Sequence, residues 1–211
     1  MYCLICPPEG GFFIKYFRED YMKKMFSTRE LAYLGALAAV SAALQLFHLG
    51  YQSAQWGMWI DFVAVTWIMA FFLFGVKASF TVSLLGAVII TLFAPDTWLG
   101  ASMKWMATMP VFLSLYLFLV IKKENPGYFR NWKNIIVPVI LGIIVRSLIV
   151  IPVNYFYAIP IWTGMTPGQA MGAIPWYIIA GFNSVQTLIE VIIAHLLVFK
   201  SGFQKYAAWN E

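Results

Sequence analysis

The stretch WKNIIVPVILGIIVRSLIVIPVNYFY, residues 132–157, decides the fold: apart from Lys133 at its start it carries one charge, Arg146, in an otherwise apolar run. A run of about 20 predominantly apolar residues crosses the hydrocarbon core as a helix, because only a helix or a closed barrel satisfies every backbone donor and acceptor there. Immediately before and at its start stand Lys122, Lys123, Arg130 and Lys133. Cationic loops are hard to move across a bilayer, so this end of the helix is read as cytoplasmic.

Working outward, the same alternation holds along the chain. Lys15, Arg18, Lys23, Lys24 and Arg29 precede the first apolar segment, Lys77 separates the second from the third, and Lys200 and Lys205 follow the last. The positive-inside rule then puts both termini in the cytoplasm and makes the number of spans even. Composition agrees: 62% apolar and 11% charged residues, with a mean hydropathy of +0.77, are far from a soluble domain, which carries about 25% charged residues. The fold class is all-α integral membrane protein, with room for six transmembrane helices of about 20 residues each. The spans read as Glu30 to Leu49, Ile60 to Phe74, Ala78 to Phe93, Ser102 to Ile121, Trp132 to Tyr157 and Trp176 to Phe199. Residues 1–27 form a cytoplasmic tail, 28–200 the membrane domain and 201–211 a second cytoplasmic tail. The second and third spans are short and separated only by Gly75, Val76 and Lys77, which predicts a helical hairpin, tilted or partly shielded by its neighbours.

The N-terminal residues lack the apolar core of a secretory signal peptide. Met22 and Met25 each precede a basic or capped stretch, which makes either a candidate start. Cys3 and Cys6 are the only cysteines; one Cys-x-x-Cys pair supplies half of a structural zinc site, so no metal site is expected. The first helix opens with Ser27-Thr28-Arg29-Glu30, the pattern of a capping box. Ala32, Ala36, Ala39 and Ala43 then give one face small side chains along its length. Small faces attract other helices in lipid because they allow close backbone approach. Two uses are open: packing within this chain, or docking onto a partner subunit.

Ionisable groups inside a span are costly and mark function or a paired partner. Arg146 and Glu190 stand out. Arg146, Val150 and Asn154 recur at steps of four on the fifth helix; Asn183, Gln186, Thr187 and Glu190 share one face of the sixth. From the rise per residue, Arg146 lies about 21 Å and Glu190 about 15 Å above the inner ends of their helices. Long side chains bridge that offset, and an ion pair spares each residue an unpaired charge in hydrocarbon; direct ligand contact by either is the rival reading. Asn154, Asn183 and Gln186 lie toward the outer half, and amides both donate and accept, which suits a neutral heterocycle with an imide edge.

Two outer connections add to this picture. The one from Gly50 to Trp59 carries Tyr51, Gln52, Gln55, Trp56 and Trp59; the one from Ala158 to Pro175 carries Trp162, Thr163, Thr166 and Gln169. Flat aromatics with hydrogen-bonding side chains suit a planar, polyhydroxylated ligand. An interfacial aromatic belt gives the same composition. Enzymatic readings find little: His48 and His195 lie near opposite faces, as interfacial histidines do, and no metalloprotease, nucleophile-elbow or nucleotide-loop motif is present. Nor are there two corresponding halves with broken helices, as in ion-coupled transporters.

Six spans with cytoplasmic ends, a small-residue first helix and no energy module resemble a substrate-binding S-component of an energy-coupling factor (ECF) vitamin transporter. Asn154-Tyr155-Phe156-Tyr157-Ala158-Ile159-Pro160-Ile161-Trp162 resembles the Asn-Tyr-Phe-x-x-x-Pro-x-Tyr stretch of the riboflavin-specific members, and Phe182-Asn183-Ser184-Val185-Gln186 their Phe-Asn-x-x-Lys. Gln186 stands where that motif has lysine, and Val63-Ala64-Val65-Thr66 follows Asp61-Phe62 in place of Ser-Asp-Ile-Pro. The resemblance implies capture of riboflavin or a related flavin near the outer face by Asn154, Asn183, Gln186, Tyr155, Trp56, Trp162 and Asp61. It also implies docking of a membrane coupling subunit on Ala32, Ala36, Ala39 and Ala43, with cytoplasmic ATPase subunits supplying energy. The lipid bilayer is the remaining partner; no cofactor and no nucleic acid are implied. An S-component for a different vitamin or heterocyclic solute is the alternative, and a structural or assembly membrane protein without a ligand is the alternative of another class.

Overall fold

The computed structural model describes residues 26–46, 50–53, 58–93 and 97–210. The N-terminal cysteines, the two candidate start methionines, His48, Gln55 and Trp56 lie outside them. The chain divides into two units, Met1–Tyr33 and Leu34–Glu211. In the first, the start of helix α1 (Thr28–Leu46) is capped reciprocally. The Glu30 amide donates to Ser27 Oγ at 3.2 Å, and the Ser27 amide to the Glu30 carboxylate at 2.6 Å.

The second unit is built on α2 (Val63–Phe74), in which Val63 through Leu73 are all buried. A helix apolar on every side belongs inside a bundle. Twelve residues rise only about 18 Å, well short of the hydrocarbon thickness, so neighbours must cover it. Its partner α3 (Val76–Phe93) follows after one residue, a tighter hairpin than the three-residue connection read from sequence. Gly75 makes the turn at φ 85°, with its amide donating to the Phe71 carbonyl at 2.8 Å. That left-handed backbone is open to glycine at little cost.

Three long helices complete the bundle: α4 (Thr97–Lys122), α5 (Trp132–Val153) and, at the C-terminal end, α8 (Trp176–His195). With their extensions they form the three segments among the described residues that are long and apolar enough to cross a membrane: Trp98–Lys122, Trp132–Thr163 and Trp176–Lys200. Helix α4 begins at Thr97, a turn before the Ser102 start read from sequence. Helices α4 and α5 approach closely at Gly142, where a Cβ would meet Ser114 Oγ at 2.7 Å and the Val111 Cα at 3.2 Å. The Ser114 hydroxyl stands 2.7 Å from the Val111 carbonyl and 2.8 Å from that of Pro138.

The two connections read as outer from sequence are, over their described residues, more ordered than loops. Gly50–Gln52 (β1) and Trp59–Asp61 (β2) pair antiparallel, with Gly50 opposite Asp61; a Cβ at Gly50 would run into the Ile60 carbonyl. Strands of three residues are too short to show a period of two. Past α5, the chain continues through a π-helical turn (Asn154–Ala158) into α6 (Ile159–Thr163), ends at Gly164 and forms α7 (Pro167–Ala173). Thr166 and Gln169, expected to offer hydrogen bonds to a ligand, form the capping box of α7. Thr163 donates to the Ile159 carbonyl at 2.7 Å.

Two apolar clusters share the interior. The inner one centres on Phe71, Phe72, Phe112, Leu115 and Phe129. The outer one joins Ala107 of α4, Val150 and Tyr155, Ile159, Ala170 and Ile179. Past Lys200 the chain packs against the inner cluster, with Trp209 Nε1 donating to the Phe72 carbonyl at 2.8 Å and its ring stacked on Phe199. His195 is buried in the same region: Nε2 lies 3.0 Å from the Phe129 carbonyl, and the ring meets Trp132 edge-on at 4.7 Å.

Candidate ligand-binding site

Between the two clusters runs a connected set of polar side chains from β2, α4, α5 and α8. Arg146 is 4% exposed and Glu190 fully buried. They form an ion pair at 3.1 Å between Nη1 and Oε2. The guanidinium also donates to Thr187 Oγ1 at 3.2 Å and, through Nε, to Asn183 Oδ1 at 2.9 Å. Opposite charge and side-chain acceptors together offset the cost of taking this cation out of water.

Gln186, one turn from Glu190, links the ion pair to the β hairpin. Its Oε1 accepts from the Asp61 amide at 3.1 Å and its Nε2 donates to the Asp61 carbonyl at 2.7 Å. The side-chain amide thus pairs with the N–H and C=O of one residue, as a neighbouring antiparallel strand would. Nε2 also donates to Glu190 Oε1 at 2.5 Å. The Asp61 carboxylate accepts the Val63 amide at the start of α2 through Oδ1 at 2.9 Å, and pairs with Lys104 of α4 through Oδ2. Two cations and two carboxylates balance, so the network is neutral.

The residues singled out from sequence therefore separate. Asn183, Gln186, Asp61, Arg146 and Glu190 are joined in one network. Asn154 begins the π turn and donates to the Val150 carbonyl of its own helix at 2.8 Å. Tyr155 is buried in the outer cluster, its hydroxyl donating to the Ile174 carbonyl at 2.7 Å, which ties the π turn to the start of α8. Trp162 is 59% exposed on the last turn of α6 and is not brought to the network. Trp56 lies outside the described residues.

Lys104 is the residue that sequence reasoning missed. Its signal was present, because a lysine inside a span needs a counter-charge or a route to water. Its partner, 43 positions away at the end of a hairpin strand, had no local signature. On α1, the face packed within the second unit is Leu34, Ala38, Ser41 and Ala42, with Ser41 Oγ accepting from Trp67 Nε1 at 2.8 Å. Ala32, Ala36 and Ala39 are exposed and Ala43 half-buried. Two open apolar clefts lie away from the network, one of about 300 Å³ beside Leu84, Val88 and Trp98 and one of about 380 Å³ beside Met109, Leu113 and Leu141. Neither has the polar lining that would orient a ligand.

No family model matches the chain. In sequence it is similar to the riboflavin transporter RibU of Streptococcus thermophilus, with 29% identity over 158 residues covering 72% of this chain and 70% of that protein. It is also similar to the riboflavin transporter RibU of Lactococcus lactis subsp. cremoris, with 26% identity over 202 residues covering 82% of this chain and 93% of that one. In structure it superposes on the S component of a bacterial ECF transporter with a TM-score of 0.65 and 23% identity, over 83% of this chain and 97% of the other. The chain is a multi-pass plasma-membrane protein with the fold of an ECF transporter S component, and riboflavin transporters are among its sequence relatives.

Proposed function

We propose that this protein captures riboflavin or a closely related flavin at the outer ends of α4, α5 and α8 and delivers it to an ATP-driven ECF module. The observation that carries the reading is agreement between two independent comparisons: sequence relatives named as riboflavin transporters and the S-component fold. The site chemistry supports it. A neutral, hydrogen-bonded network beneath an apolar cluster suits a planar ring with polar edges, since a net charge there would favour an ionic ligand. Asn183 and Asn154 provide amides toward the outer half, and Tyr155 holds the wall behind them.

In this reading six spans cross the membrane within residues 28–200, with both termini cytoplasmic, in keeping with the basic residues at alternate connections. The exposed alanines of α1 dock a membrane coupling subunit, and cytoplasmic ATPase subunits supply energy that this chain, without a nucleotide loop, does not generate. Its role is that of a transporter subunit and not an enzyme.

Purification tests the reading directly. The protein in detergent quenches riboflavin fluorescence with saturation at one ligand per chain, and a preparation from flavin-supplied cells is yellow. A folded preparation that quenches no flavin rejects it.

A further inference from the structure

Two basic stretches that lie far apart in the chain meet at one end of the bundle. Residues 118–133, which join α4 to α5, and residues 196–210, which follow α8, carry Lys122, Lys123, Arg130, Lys133, Lys200 and Lys205 against a single acid, Glu124. Ring contacts bring them together. The His195 ring meets Trp132 edge-on at 4.7 Å, with Nε2 3.0 Å from the Phe129 carbonyl. Trp209 stacks on Phe199 and packs so closely on Gly127 that a Cβ there would come within 2.9 Å of the indole. The connection from α4 to α5 is itself pinned. Asn125 Oδ1 accepts from the Gly127 amide at 2.8 Å, Asn131 Oδ1 accepts from the Lys133 amide at 3.1 Å, and Asn134 Nδ2 donates to the Tyr128 carbonyl at 2.9 Å.

The exposed side chains of this frame share one character. Arg130, Lys133, Lys200 and Lys205 are exposed, and none of the four forms an ion pair among the described residues. Near them in the chain stand two large exposed rings, Trp132 at 41% and Phe203 at 42%. The C-terminal segment is two-sided: Phe199 and Ala207 are buried in the inner cluster, while Lys200, Phe203 and Lys205 are exposed. A segment at the end of a span with one buried side, and lysines and an aromatic ring on the other, has the composition of one lying in the headgroup layer. Orientation during insertion needs cations in a connection. It does not need them gathered on a fixed frame beside exposed rings.

We propose that Arg130, Lys133, Lys200 and Lys205 form a docking surface for anionic phospholipid headgroups, with Trp132 and Phe203 reaching the acyl boundary beside them. Cations gathered without acids repel one another, and lipid phosphates supply the missing counter-charge. The arginine fork and the lysine ammonium groups both suit phosphate oxygens. The exposed rings favour a phosphate that carries hydrocarbon, hence a lipid over a soluble anion. The proposal does not draw on flavin capture, and its failure leaves that reading untouched.

The test follows the melting temperature of the full chain in a neutral detergent as phosphatidylglycerol or phosphatidylcholine with the same acyl chains is added. Phosphatidylglycerol raises it about 3–6 °C more than phosphatidylcholine does, because a lipid that binds the folded state stabilises it. The difference falls below about 1 °C when Arg130→Gln, Lys133→Gln, Lys200→Gln and Lys205→Gln are combined, although this variant melts within about 2 °C of the unmutated protein in detergent alone. Salt at about 0.5 M shrinks the difference as well. Equal shifts with the two lipids, or the full difference in the quadruple variant, overturn the proposal. So does an equal shift with soluble sn-glycerol 3-phosphate, which assigns the cations to free phosphates. Should the quadruple variant not fold, Lys200→Gln with Lys205→Gln is read the same way: about half of the difference remains, and an undiminished one overturns the proposal.

Discussion

Arg146 shows why a mid-membrane charge is informative at the scale of one residue. Its side chain is held by Glu190, Thr187 and Asn183 at once, so removing Glu190 leaves a buried cation without its counter-charge. Breaking such a pair costs about 3–5 kcal/mol, whereas replacing both partners with apolar residues is often neutral. Arg146→Ala or Glu190→Ala alone therefore lowers folded yield and melting temperature in detergent, and Arg146→Met with Glu190→Leu recovers much of both. Equal damage in the single and double variants rejects the pairing as the reason these residues are tolerated. Asn183 has two roles, a structural one, accepting from Arg146 and donating to the Ile179 carbonyl at 2.9 Å, and, in the proposed function, facing the flavin. Asn183→Ala removes both, and riboflavin affinity falls about tenfold or more, since an unpaired polar edge in a dry site costs about 1–3 kcal/mol. Unchanged quenching by this variant removes Asn183 from the site.

At the scale of elements, the helices were legible because their signal is local: long apolar runs ended by lysine, arginine or glycine. Boundaries were less so. Helix α4 starts at Thr97, before Ser102, and the connection after Tyr157 stays helical to Thr163, because polar and aromatic residues at an interface fit a helix end as well as a loop. The β hairpin had no readable period, and its position is fixed by Gln186 gripping the Asp61 peptide. The α4–α5 contact gives a sharp test of packing. A Cβ on Gly142 would meet Ser114 Oγ at 2.7 Å, so Gly142→Ala costs about 1–3 kcal/mol by overpacking, seen as a lower melting temperature. Ser114→Ala in the same background restores part of the loss, because it removes the atom in the way. The Val111 Cα, at 3.2 Å, accounts for what is not restored.

For the molecule as a whole, the proposed division of labour puts ligand capture on α4, α5 and α8 and partner docking on the exposed small face of α1. Ala36→Trp or Ala39→Trp then leaves riboflavin affinity of the isolated protein near normal and abolishes both ATP-dependent uptake and co-purification with the coupling subunit. Loss of binding with assembly intact assigns the face to the protein's own core. By itself the sequence determined the membrane class, the apolar helices, the polar stripes on α5 and α8 and the likeness to S-components, since each is written within one helix length of residues. Only the tertiary structure decided that Lys104 reaches Asp61, that Gln186 spends its amide on the backbone of a hairpin residue and that the buried Thr108 hydroxyl has no hydrogen-bond partner among the described residues. Those outcomes depend on how far each helix is rotated and offset against its neighbours. Many weak packing contacts summed over the whole bundle set that geometry, and no single segment of sequence encodes it.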